Sequence, residues 1–68
     1  MILEYTSYSY GKPIVYILVK EGNFYSLSIG GTPYGRLAKI DGEWVQTAGR
    51  MMVDETIQEL GEYIDGRV

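Results

Sequence analysis

Cysteine and histidine are both absent from this chain. Without thiols no disulfide can brace the fold, and without either residue a zinc site has lost its usual ligands. The same gap removes the commonest general base and the commonest soft nucleophile. The sequence therefore reads as having no metal, no cofactor and no enzyme activity. Long hydrophobic runs are missing too. The longest, Ile14 to Val19, has six residues, where a membrane helix needs about 20. Met1-Ile2-Leu3-Glu4 lacks the basic and apolar regions of a signal peptide, and residue 2 is not the glycine that myristoylation requires. Absence of cysteine fits a reducing compartment, so a cytoplasmic location is expected, with no membrane association.

Basic clusters are also lacking. Lys12, Lys20, Arg36 and Lys39 are scattered and balanced by Glu4, Glu21, Asp41 and Glu43. Phosphate recognition needs grouped cations, so nucleic acid is disfavoured as a partner. The net charge of −3 belongs to the C-terminal segment, where Arg50 and Arg67 face Asp54, Glu55, Glu59, Glu62 and Asp65.

What is present is a hydrophobic content of 46%, enough for a globular chain. Sixty-eight residues make a single domain, 1–68, of the size that is marginally stable alone. Turn signals recur every several residues as far as Gly42, the spacing of a meander. Gly11-Lys12-Pro13 separates a first strand, Ile2 to Tyr10, from the apolar run. Gly30-Gly31 ends a third strand. Asp41-Gly42 supplies the two positive φ angles of a type I′ turn between Leu37–Ile40 and Glu43–Gln46. Gly30 to Gly35 is glycine-rich but leads from strand to strand, so it reads as a hairpin and not as a phosphate loop. Residues 50–53 read either as a sixth strand or as an irregular link.

A helix is expected from Asp54, which can cap the first turn, to Gly66. Ile57, Leu60 and Ile64 form its apolar stripe, with Gly61 among them where a close approach to the sheet would offset its low propensity. Glu55, Glu59 and Glu62 are assigned to a solvated opposite face. Trp44 reads as a core or rim anchor, and Met51 and Met52 as gap-fillers. The expected fold is α+β: an antiparallel meander of about five strands with one C-terminal helix on one face. The alternative is a small half-open barrel plugged by the helix.

The run Ile14–Val19 does not alternate, so both its faces want cover. One helix covers one face. A three-residue loop at Lys20-Glu21-Gly22 would put Val15, Ile17 and Val19 beside Tyr25, Leu27 and Ile29 under the helix. It would leave Ile14, Tyr16, Leu18 and Phe24 uncovered. A two-residue loop would shift the register by one and exchange the partners. With Tyr8 and Tyr10 of the first strand, that uncovered face is the candidate interaction surface. The leading reading is a non-enzymatic module that binds a protein partner or another copy of itself. The alternative is stacking of single-stranded nucleic acid or carbohydrate on the aromatics.

Overall fold

The computed structural model describes residues 1–67. Five strands follow one another and pair antiparallel in chain order: β1 (Ile2–Ser7), β2 (Ile14–Glu21), β3 (Phe24–Ile29), β4 (Thr32–Ile40) and β5 (Glu43–Gly49). A single helix, α1 (Asp54–Asp65), completes the chain and contacts both edge strands, β5 and β1. The sheet is an open one with two edges, not a closed barrel.

The turns follow glycine chemistry. Gly30-Gly31 and Asp41-Gly42 each supply two successive positive φ angles, 58° and 81° in the first, 53° and 82° in the second. This is the type I′ pattern that matches the twist of a two-residue hairpin. Between β2 and β3 the turn is also two residues long, Gly22-Asn23, with Glu21 opposite Phe24. The three-residue loop expected there is therefore replaced, and the register moves with it. Leu18 lies opposite Leu27 and Val19 opposite Ser26. Tyr25 and Leu27 face the helix as expected, but β2 presents Tyr16 and Leu18 to it, with Val15, Ile17 and Val19 turned outward.

The first strand is shorter than its tyrosine pattern suggested. Pairing stops at Ser7 opposite Ile14, and the Gly11 amide donates to the Tyr8 carbonyl to turn the chain. Residues 50–53 are irregular and form no sixth strand. Gln46 organises this link: its Oε1 accepts the Met52 amide at 2.9 Å, and its Nε2 donates to the carbonyls of Ala48 and Arg50. Val53, not Asp54, is the N-cap of α1, and no side chain caps the amides. Asp54 lies inside the first turn and accepts from Gln58. Gly66 sits at the C-terminal cap as expected, though in the right-handed region.

The core lies between the inner sheet face and the helix stripe. Tyr16, Leu18, Tyr25, Leu27, Leu37 and Trp44 meet Met52, Ile57, Leu60 and Ile64. Gly61 is buried against Trp44, and a Cβ at this position would overlap the indole. The helix comes in close here because glycine removes the obstacle.

Candidate interaction surface

The outer sheet face is the surface that no other element covers. Pairing fixes which residues share it. Ile2 and Val19 stand side by side, as do Glu4 with Ile17 and Thr6 with Val15. Across β3 the same face carries Phe24, Ser26 and Ser28, and then Ala38, Arg36 and Pro33 of β4. Ala48 and Val45 of β5 continue it, with Glu43 opposite Ile40 at the far turn. Ile2 is 71% exposed and Val15 42% exposed; Ile17, Val19, Phe24 and Val45 are partly covered by their neighbours. The result is an apolar patch on β1 and β2, a serine row along β3, and a second apolar strip on β4 and β5.

Charge on this face is divided. Glu4 and Glu21 lie on the β1–β2 side, and Glu21 accepts the Ser26 hydroxyl. Arg36 is the cation of the β4–β5 side, its guanidinium 4.8 Å from the Phe24 ring centroid, and Glu43 lies apart from it at the far turn.

The residues singled out from sequence do not form one surface. Tyr16 and Leu18, 2% and 0% exposed, are core residues beneath the helix. Ile14 is partly buried against the same core. Their assignment to an uncovered face is overturned by the two-residue turn: Ile17 lies opposite Ser28 instead of Tyr25, a shift of three residues, and any odd shift exchanges every side chain of β2 between faces. Of that set only Phe24 lies on the outer face. Tyr8 and Tyr10 belong to the β1–β2 loop and not to a strand. Tyr8 is largely exposed, while the Tyr10 hydroxyl lies 3.0 Å from that of the buried Thr56.

On the other side of the molecule, Glu59 departs from the solvated face assigned to it. Its carboxylate accepts the hydroxyls of Tyr5 at 2.5 Å, Ser9 at 2.6 Å and Ser7 at 3.1 Å. Hydrogen bonds from Ser9, Tyr5 and Ser7 hold the carboxyl below its ordinary value. The bond to Glu59, then burial, pushes the Tyr5 phenol up to about 12. This cluster joins α1 to β1. It favours the charged form of its carboxylate, which is the wrong direction for proton transfer at neutral pH. No sequence signal marked it, because its members lie 50 to 54 residues apart.

The helix also meets the outer edges of the sheet. Tyr63 donates to the Glu4 carbonyl of β1 at 2.8 Å, and Gln58 to the Trp44 carbonyl of β5 at 3.1 Å. Strand addition at those points would have to displace a side chain. The outer face, and not an edge, is the accessible sticky surface.

No helix among the described residues is long and apolar enough to cross a membrane. Comparison with protein-family models, with curated proteins and with solved structures found no match.

Proposed function

We propose that this chain is a non-enzymatic interaction module that docks through its outer sheet face, sheet on sheet, against a second copy of itself. The observation that carries the reading is the register of β2. It turns Val15, Ile17 and Val19 outward beside Ile2, with no other element of the described residues above them. Contiguous exposed apolar area of this kind marks a contact surface. Two facing sheets pack about 10 Å apart with their inner side chains interdigitated.

The division of charge argues for a second copy as the occupant. A two-fold axis along β3 lays the β4 side of one copy over the β1–β2 side of the other. Arg36 then approaches Glu4 and Glu21 of the second copy, and the serine rows meet along the axis. A closed two-fold contact of this sort needs one self-complementary patch.

Sedimentation equilibrium on the intact chain tests the reading. A dimer is expected, and Ile17→Ser with Val19→Ser should yield a folded monomer by circular dichroism. Arg36→Glu should weaken association, and adding Glu21→Arg should restore it. A wild-type chain that stays monomeric at hundreds of micromolar would overturn the proposal, as would a charge swap that restores nothing. Stacking of bases or sugars on the tyrosines finds less support: Tyr8 and Tyr10 are both exposed, but they lie in the β1–β2 loop and not side by side on a strand.

A further inference from the structure

At the turn end of the inner face lies an open, shallow cleft of about 450 Å³. This is within the size range of small-molecule sites. Its floor is Tyr25, Trp44 and Ile64, and its rim carries Lys20, Asn23, Lys39 and Asp65. Both lysines are there by register. Lys20 stands opposite Tyr25, and Lys39 opposite Trp44. The inner face is apolar through its middle and ends in two ammonium groups.

The two lysines are not equivalent. Lys39 is committed: its Nζ lies 3.1 and 3.2 Å from the Asp65 carboxylate oxygens, and that carboxylate also accepts the Trp44 indole N–H at 3.2 Å. Lys20 has no carboxylate partner among the described residues. Two lysines and one aspartate leave one positive charge at the mouth of an aromatic-floored cavity. Tyr25 and Trp44 meet edge-on, with ring centroids 5.9 Å apart and planes at 63°, and the small part of each that stays exposed faces the cleft.

We propose that this cavity binds a small aromatic monocarboxylate, with its ring on Tyr25, Trp44 and Ile64 and its carboxylate on Lys20 and the Asn23 amide. A neutral ligand would leave Lys20 unused, and a dianion would place an unpaired charge beside Asp65. A charge-assisted hydrogen bond to Lys20 supplies the selectivity.

The chain has a single tryptophan, so its indole N–H gives one resonance and that resonance reports the cavity. Phenylacetate is titrated into the isotope-labelled chain and followed by NMR. The Trp44 indole and Asn23 amide signals should shift saturably, with a dissociation constant on the order of 1 mM, reasonable for a ligand of about ten heavy atoms. Phenylacetamide should bind at least about tenfold more weakly, since it lacks the charge. Lys20→Gln should weaken phenylacetate binding by about the same factor without lowering the melting temperature. Shifts that grow linearly without saturating would overturn the proposal. So would equal binding of the amide, equal binding by Lys20→Gln, or shifts confined to the Tyr8–Tyr10 loop.

Discussion

The helix meets the two edges of the sheet by different physics. Against β5 the contact is one of shape: Gly61 has no side chain, and the Trp44 ring fills the space. Against β1 and the start of the loop after it the contact is polar: Glu59 gathers the hydroxyls of Tyr5, Ser7 and Ser9, while Tyr63 packs at a tilt on Tyr5 with ring centroids 4.7 Å apart. A packed contact depends little on solution conditions, whereas a carboxylate–hydroxyl cluster depends on protonation. The β1 seam thus rests on a carboxylate, while the β5 seam adds to its own carboxylate, Asp65 on the Trp44 indole, a packed contact that protonation does not touch.

The comparison is broken most severely at Trp44. Trp44→Ala should cost about 3–5 kcal/mol, the usual range for a buried aromatic truncation, as read by denaturant unfolding. Loss of the same size from Glu62→Ala, on the exposed side of the helix, would mean the β5 seam has no special weight.

Gly61→Ala comes next. In an exposed helix this change would gain about 1 kcal/mol in propensity. Here the new methyl meets the inner atoms of Trp44, including Cβ at 2.9 Å, which cannot swing aside as a side-chain tip could. A net loss of about 1–2 kcal/mol is expected from overpacking. Most of the loss should disappear when Trp44→Ala is already present, because that change removes the ring atoms and leaves only the Cβ contact. Additive losses would separate them.

The smallest effect is the most diagnostic of the β1 seam. Glu59→Gln keeps the shape and removes the charge, for about 1–2 kcal/mol at neutral pH. The sign of its pH dependence follows from the shifts. The Glu59 carboxyl is held below its ordinary 4.5, so its contribution is complete above that value and is lost as pH falls through the lowered one. The Tyr5 phenol is raised from 10.0 to about 12, so its contribution is complete below pH 10 and is lost as pH climbs toward 12. Between these limits, from pH 6 to 8, stability should be flat, as no histidine is present to titrate. Asp65 on the other seam is lowered by the Trp44 indole and Lys39, so its contribution too is lost as pH falls. Burial also raises the core phenol of Tyr16. Glu59→Gln should therefore shrink the acid limb of a melting-temperature profile without abolishing it. An unchanged acid limb would remove Glu59 from the account.

Most of the architecture was legible because it is local. Asp41-Gly42 and Gly30-Gly31 admit few conformations other than tight hairpins, and Ile57, Leu60 and Ile64 fit only a helix period. Even the close approach at Gly61 could be anticipated from its place in the stripe. The surface was misread at two points: β1 ends at Ser7, which leaves Tyr8 and Tyr10 in a loop, and β2 is turned over. Ile14 to Val19 is apolar on both faces, so its own sequence holds no alternation to say which side is in. The choice falls to the turn at Gly22-Asn23, where the two loop lengths differ by one residue and reverse the whole strand. Alternation in β3 is clear, with Tyr25 and Leu27 against Ser26 and Ser28, and its faces were assigned correctly. Glu59 was illegible for another reason. A carboxylate among other helix acids looks solvated until β1 and its following loop, half a hundred residues away, bring three hydroxyls to it.

The helix bonds to Glu4 and Trp44 also set an order of events in time. Three of the four hairpin turns need only two residues to close, while the contact from Tyr63 to Glu4 closes across 59. Closure entropy grows with span, so the meander assembles first and the helix arrives last. For that interval both edge strands are bare, with backbone carbonyls open to the edges of other chains. The same two hydrogen bonds that finish the native fold thus also end its period of greatest exposure to misassembly. Yield on refolding is then governed by protein concentration during docking more than by the stability reached afterwards.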